Sequence, residues 1–89
     1  MSAPLRKAEG RFSETAFEDE VVVMQLDSGE FFSLTGTARD IWLLIDGRRS
    51  AAEIVATLAA VFACTESEIA GDVADFLAQM TEAQLVVAE

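Results

Sequence analysis

Apolar residues follow two spacings along this chain, a two-residue alternation in the first part and a helical spacing in the second. Residues 12–17 alternate weakly, residues 21–26 are mostly β-branched and apolar, and residues 30–34 form a third short apolar run. These segments predict three strands. Asp27-Ser28-Gly29 predicts a tight hairpin between the second and third strands, because Gly29 takes positive φ without a Cβ clash.

Three stretches with helical spacing follow the predicted hairpin. Their apolar stripes are Ala38, Ile41, Trp42 and Ile45; Ile54, Val55, Leu58, Val61 and Phe62; and Ile69, Val73, Phe76, Leu77 and Met80. Gly47 predicts the end of the first helix, and capping boxes at Ser50–Glu53 and Thr65–Glu68 predict the starts of the other two. The fold class is therefore α+β: a small winged-helix-like domain with a three-stranded antiparallel sheet followed by three helices.

The ends of the chain carry weaker patterns. Residues 1–10 have no period and predict a flexible lead-in, which leaves residues 11–89 as a single domain. Residues 85–87 are apolar and predict a short closing strand or a tail packed on the core.

Both faces of the predicted sheet carry apolar side chains. Val21 and Val23 lie on one face of the second strand, and Val22 and Met24 lie on the other. Only one face is needed to cover the helices. Val21 and Val23, together with Phe31, are expected to form the less covered face, which is either tolerated by a small protein or a docking surface for another protein or a second copy.

The charge pattern argues against the obvious function of a winged-helix layout. The net charge is −10, and the last forty residues contain seven carboxylates and no Lys, Arg or His. Nucleic-acid affinity depends largely on cations that contact phosphates, so a DNA-reading third helix is disfavoured. Acidity also disfavours anionic membranes, and no apolar run approaches the roughly 20 residues of a membrane span. We expect a cytoplasmic protein.

Catalytic and metal-binding chemistry find little support in the sequence. Cys64 is the only cysteine and there is no histidine, so neither a thiolate zinc site nor a histidine-dependent nucleophile can be assembled. Asp72 and Asp75 are three residues apart on the predicted third helix, which is more typical of a solvated face than of an acid–base pair. We expect no enzyme activity, no metal and no cofactor.

Peptide binding at a sheet edge remains as a candidate function. A short sheet leaves unpaired backbone groups at its edges, and an extended peptide adds there as another strand. If the third strand is that edge and the third helix lies beside it, the two elements form the walls of a binding site. Asp72 and Asp75 would meet a basic side chain at the rim. The candidate peptide-binding residues are Glu30, Phe31, Phe32, Ser33, Leu34, Asp72, Val73, Asp75, Phe76, Leu77 and Met80.

The order and spacing of several segments resemble the PqqD-like family. The resemblance is carried by LDSGEFFSLT at 26–35, IWLLIDG at 41–47, and the segments 53–58, 69–77 and 85–86, and it covers about residues 18–88. Members of this family are peptide chaperones, and the family is named for pyrroloquinoline quinone (PQQ) synthesis. They are also called recognition elements of ribosomally made, modified peptides (RiPPs).

The resemblance implies a non-catalytic protein that binds the leader of a precursor peptide as an added strand between the third strand and the third helix. It also implies delivery of that precursor to a separate enzyme, either a leader peptidase or a radical S-adenosylmethionine (SAM) enzyme. The hairpin reads Asp-Ser-Gly-Glu-Phe-Phe, where quinone-pathway members tend to show a Pro-Glu-Arg-like turn, and this favours a lasso-peptide or other peptide pathway. Two alternatives stay open: an adaptor or homodimerisation module, and a winged-helix DNA-binding regulator.

Overall fold

The computed structural model describes residues 3–88. The strands and helices in this range are, in chain order, β1 (Leu5–Lys7), β2 (Phe12–Ala16), β3 (Glu20–Gln25), β4 (Phe31–Thr35), α1 (Gly36–Leu44), α2 (Ala51–Phe62), α3 (Glu66–Glu82) and β5 (Val86–Ala88). The main sheet is antiparallel with the order β2-β3-β4, and three helices follow it. The α+β class and the winged-helix-like arrangement predicted from the sequence are confirmed.

The segment predicted to be a flexible lead-in contributes a strand. Antiparallel β1 and β5 form a second, two-stranded sheet in which Arg6 lies opposite Val87. The Leu5 N–H also donates to the Arg49 carbonyl at 2.9 Å, and the Gly47 N–H donates to the Leu5 carbonyl at 2.8 Å. Three residues are too few to show a period, and their partners are far away in sequence, so no local pattern marks β1. Residues 1, 2 and 89 of the predicted ranges lie outside the described residues.

The assignment of the two sheet faces from the sequence was wrong. Val21 and Val23 are buried, and Val21 lies opposite the buried Leu34 in the β3–β4 register. Phe31 is 68% exposed and lies opposite Met24, on the face that turns away from the helices. Directly opposed residues share a face, so register rather than hydrophobicity decides which apolar set is covered. In the described chain Val22, Met24 and Phe31 form an outer apolar face.

The core lies between the main sheet and the helices. The largest fully buried side chain is that of Trp42, which packs edge-on against Phe12 with ring centroids 5.4 Å apart. The Lys7 ammonium lies 4.6 Å from the Trp42 ring centroid, within the range of a cation–π contact. The predicted core role of Trp42 is therefore confirmed, and β1 covers one side of it.

The starts of α2 and α3 follow the predicted capping signals, whereas α1 ends at Leu44, three residues before the predicted stop at Gly47. The Ser50 hydroxyl accepts from the Glu53 N–H at 3.3 Å, and the Glu53 carboxylate accepts from the Ser50 N–H at 3.0 Å. At the start of α3 the Glu68 carboxylate accepts from the Thr65 N–H at 2.9 Å. These bonds satisfy amides that a helix start leaves without intrahelical partners, and they fix where α2 and α3 begin.

The α2 stripe is only partly buried. Ile54 and Leu58 are in the core, whereas Val61 is 68% exposed and Phe62 is 41% exposed. The last turn of α2 therefore extends past its neighbours, and helical spacing alone overestimates the buried part. Cys64 follows in the turn before α3 and is half-buried.

Candidate functional site

β4 is an edge strand of the main sheet, and its hydrogen-bonding phase is fixed by its neighbour. The Gln25 N–H donates to the Glu30 carbonyl at 2.9 Å. Antiparallel pairs alternate between bonded and non-bonded positions, so Phe32 and Leu34 direct their backbone groups toward β3. Phe31 and Ser33 consequently direct their N–H and C=O groups outward. These two residues thus present four backbone hydrogen-bonding groups on the side away from β3.

α3 faces this edge across a gap. Both β4 and α3 pack against α1. A cavity of about 310 Å³ opens where the three elements meet. Its lining residues are Phe31, Phe32, Ser33, Leu34, Ala38, Phe76, Gln79 and Met80. The sequence therefore brings the predicted third strand and third helix together at one site.

A second cavity continues the first toward the start of β4. It measures about 350 Å³ and is lined by Glu30, Phe32, Gln79, Glu82 and Ala83. Phe32 and Gln79 line both cavities, so the two form one trough, which we call the β4–α3 groove. At one end the apolar lining side chains of Leu34, Phe76 and Met80 are almost fully buried, and the other end is bordered by the side chains of Glu30 and Glu82.

The predicted site residues divide into three groups in the structure. Seven of them line the groove: Glu30, Phe31, Phe32, Ser33, Leu34, Phe76 and Met80. Val73 and Leu77 lie on α3 but are buried in the core. Asp72 and Asp75 are exposed on α3 and line neither cavity.

Sequence reasoning missed four residues that line the groove, namely Ala38, Gln79, Glu82 and Ala83. Helical spacing carried a usable signal for three of them. Gln79 lies three residues after Phe76, and Glu82 and Ala83 lie three and four residues after Gln79, so all share one side of α3. Ala38 was assigned to the core stripe of α1, and its half-buried position at the groove depends on the tertiary packing.

Three groove residues also belong to the core, namely Leu34 and the α3 residues Phe76 and Met80. Met80 is 0% exposed and Phe76 is 7% exposed, so both are packed against the protein's own interior. An aspartate at either position would be buried without a partner and would destabilise the fold. Gln79 is exposed and lines both cavities, and it is the better position for probing the α3 wall.

The hydroxyl of Ser33 and the carboxylate of Asp46 are both engaged in bonds within the protein. The Ser33 hydroxyl donates to the Glu20 carboxylate on the outer face of the sheet, opposite to the groove. Away from the groove, the Arg48 N–H donates to the Asp46 carboxylate at 3.0 Å, and the Arg49 guanidinium lies 2.6 Å from it. The backbone bond from Arg48, aided by Arg49, lowers the pKa of Asp46 below its usual value. This network orders the turn between α1 and α2.

Residues 3–88 contain no group of three His, Cys, Asp or Glu side chains arranged to hold a metal ion. In the same range, none of the helices combines the length and apolar character that crossing a membrane requires.

Comparison with known proteins gives a family and a fold. Residues 20–86 match the family described as coenzyme PQQ synthesis protein D (PqqD). No curated protein shows significant sequence similarity to the chain.

Two solved structures share the fold over nearly the whole chain. TbiB1 in complex with the TbiA(beta) leader peptide has a TM-score of 0.81 and 24% identity, covering 94% of this chain and 99% of that one. A lasso peptide synthetase B1 complexed with the leader peptide has a TM-score of 0.80 and 20% identity, covering 96% and 99%. The matched residues 20–86 span β3 through the start of β5 and therefore contain the whole β4–α3 groove. On this evidence the chain belongs to the PqqD family.

Proposed function

We propose that this protein binds the leader segment of a ribosomally made precursor peptide, which adds to the free edge of β4 inside the β4–α3 groove. The observation that carries the proposal is the outward-facing edge of Phe31 and Ser33 beside a trough bounded by α3. Two proteins of the same fold are complexed with leader peptides, which supports this assignment.

The strand edge would supply affinity for the peptide, and the groove lining would supply selectivity. The backbone groups of Phe31 and Ser33 provide affinity that is independent of the peptide's sequence. Side chains of an added strand alternate, so every second peptide residue points toward α3 and contacts the groove lining. The accessible lining side chains, those of Phe32 and Gln79, would then select among sequences.

Charge favours a basic or neutral peptide over an acidic one. Glu30 and Glu82 border the second cavity, and the exposed Asp72 and Asp75 lie farther along α3. Because α3 carries acids and no cation, a peptide with Lys or Arg gains Coulomb energy along this side. The same distribution opposes contact with nucleic-acid phosphates.

The biological role that follows is a non-catalytic peptide chaperone. By holding the leader extended, the protein would raise the concentration of the precursor at a separate modifying enzyme. That enzyme would be a leader peptidase or a radical SAM enzyme of the cytoplasm. The Asp-Ser-Gly hairpin favours a lasso-type pathway with a peptidase over the quinone pathway.

The proposal is tested with the leader of a short precursor peptide encoded beside this chain. Isothermal calorimetry should give a 1:1 complex, and amide hydrogen exchange should show new protection at Phe31 and Ser33 on binding. The Val23 amide, which already faces β4, serves as the internal reference. Binding without protection at these two amides would move the site away from β4.

One observation favours a second candidate function. The outer face of the main sheet exposes Phe31 beside the half-buried Val22 and Met24, an apolar set that suits an adaptor or a homodimer. This role predicts a concentration-dependent mass in sedimentation experiments and no affinity for the leader. A Phe31→Lys variant should abolish the association, whereas a constant monomer mass would exclude the homodimer.

A further inference from the structure

The positive charges of this acidic chain are concentrated in one region. The chain has six Lys and Arg residues against sixteen Asp and Glu. Four of the six lie on β1 or in the turn between α1 and α2, namely Arg6, Lys7, Arg48 and Arg49. The Gly47 N–H donates to the Leu5 carbonyl at 2.8 Å, which holds β1 against this turn. Glu9 and Asp46 lie beside the four cations, so the region carries a surplus of two positive charges in a chain with a net charge of −10.

A cavity of about 470 Å³ opens in this region, and Arg6, Lys7 and Asp46 contribute to its lining. The Lys7 ammonium lies over the ring of the buried Trp42. The Asp46 carboxylate accepts from the Arg48 N–H. The charged groups of the cavity are therefore attached to the core and to an ordered turn.

An apolar cleft between α1 and α2 continues this cavity. The cleft measures about 240 Å³, and Leu43 lines both the cleft and the cavity. Leu43 is 47% exposed and Val61 on α2 is 68% exposed, so both side chains are open to contact. The Asp40 carboxylate also lines the cleft, and the Arg39 guanidinium lies 3.9 Å from it. We call the cavity, the cleft and the adjoining residue Arg48 the α1–α2 surface.

The α1–α2 surface and the β4–α3 groove lie on different sides of α1. Within residues 3–88 they share no lining residue. Ala38 lines the groove and Leu43 lines the α1–α2 surface. Five residues at about 100° each set these two side chains about 140° apart around the helix. A leader bound in the groove therefore leaves the α1–α2 surface open to a second partner.

From this arrangement we propose that the α1–α2 surface docks a partner protein that presents an apolar side chain flanked by carboxylates. The partner is the modifying enzyme that receives the precursor, so the inference rests on the proposed function. The apolar side chain enters the cleft between Leu43 and Val61, and the carboxylates face Arg48 and the cations of β1.

Charge complementarity favours an acidic protein as the occupant. The net charge of −10 repels anions from most of the chain, so an acidic partner is turned toward the region with the positive surplus. Nucleic acid and anionic membranes share this preference for cations, but neither offers a carboxylate-flanked apolar side chain to the cleft. A second copy would need to present its own acidic α3, which would cover its β4–α3 groove. An apolar centre with a charged border is typical of protein–protein interfaces.

The test measures the affinity of four variants for the purified modifying enzyme encoded beside this chain, either a leader peptidase or a radical SAM enzyme. Arg48→Glu reverses one charge of the surface, and Arg11→Glu makes the same change at an exposed residue outside it. Val61→Gln removes an exposed apolar side chain of the cleft, and Phe17→Gln removes one in the turn between β2 and β3. Leader affinity is measured in parallel by calorimetry.

We expect Arg48→Glu to weaken enzyme binding by about fivefold or more at low salt and by less at high salt, because salt screens an exposed charge. Val61→Gln should weaken it by about fivefold to tenfold at both salt concentrations, because the lost contact is apolar. Arg11→Glu and Phe17→Gln should stay within about twofold of the wild type. All four variants should bind the leader within about twofold of the wild type, and circular dichroism checks that each is folded.

The outcomes separate this inference from the proposed function. Enzyme affinity that is equal in Arg48→Glu, Val61→Gln and the wild type overturns the docking surface, while delivery of the leader stands. Self-association that Val61→Gln abolishes, or binding of a short DNA duplex that Arg48→Glu abolishes, assigns the surface to another occupant and overturns it as well. An enzyme that does not bind the wild type overturns delivery and this inference together. Absence of leader binding to the wild type overturns the proposed function at the groove itself.

Discussion

A substitution pair at Ser33 tests the added strand directly. The Ser33 N–H and C=O point away from β3, so a proline at this position leaves the β3–β4 hydrogen bonds intact while removing the outward donor. Ser33→Ala removes only the hydroxyl that donates to Glu20 and keeps the backbone N–H. The two variants therefore differ in the group that an added strand needs.

The expected size of the effect follows from the groups involved. Losing one backbone hydrogen bond costs about 1 kcal/mol, and leaving the facing peptide carbonyl unsatisfied adds about 1–2 kcal/mol. At 1.4 kcal/mol per factor of ten, Ser33→Pro should weaken leader binding by roughly 30-fold to 150-fold. Ser33→Ala alters an exposed side chain, so its binding should stay within about twofold of the wild type and its stability within about 0.5 kcal/mol.

Calorimetric titration of the leader measures both dissociation constants, and thermal unfolding by circular dichroism checks the fold. Because proline fixes φ near −65°, Ser33→Pro is expected to lose about 1 kcal/mol of stability and to remain folded. Equal leader affinity in the two variants, with both folded, would refute strand addition at this edge. Leu34→Pro is the control for a proline that disrupts the sheet. The Leu34 N–H belongs to the β3–β4 ladder, so the loss of this donor should destabilise the fold.

Three further predictions concern stability and charge. Trp42→Ala should lower the free energy of unfolding by about 3–5 kcal/mol in urea titrations, because the indole is fully buried against Phe12; a loss below about 1.5 kcal/mol would contradict its core role. Glu82→Lys should weaken the binding of a basic leader by roughly threefold to tenfold at low salt and less at high salt. Glu18→Lys makes the same charge change in a remote turn and should leave this affinity unchanged. The lowered pKa of Asp46 means that its carboxylate stabilises the fold above its usual pKa of 3.8 and loses this effect as the pH falls. Asp46→Asn should therefore be less stable than the wild type in urea titrations near neutral pH and equal to it in strong acid, and a pH-independent difference would contradict this.

The helical half of the fold was predictable because its signals are local. The Ser50–Glu53 box encodes the start of α2 within four residues, and the hydrogen bonds confirm it. The α3 stripe from Ile69 to Met80 is buried at every predicted position. Each of these features depends on residues three or four apart, and such residues are neighbours on the surface of one helix.

The sheet faces were not predictable in the same way. Val21, Val22, Val23 and Met24 are all apolar, so alternation offers no contrast between the two sides. The face that is covered was decided by the hairpin register, in which Val23 lies opposite Phe32. A shift of one residue would have exchanged the faces, and only the pairing itself excludes it. β1 escaped prediction for a related reason, because its pairing with β5 joins the two ends of the chain.

The residues of the groove were only partly predictable, because some depend on local patterns and others on tertiary packing. Phe31, Ser33 and Phe76 follow from the positions of one strand and one helix, and both elements were predictable. The shape of the groove instead depends on tertiary packing, in which α1 contacts both β4 and α3. A small residue such as Ala38 has no distinctive signal in a core stripe, and its place in the lining of the groove follows only from tertiary packing. Recognition in this fold is therefore divided between an edge that local patterns predict and a cavity that only the packing of α1 creates.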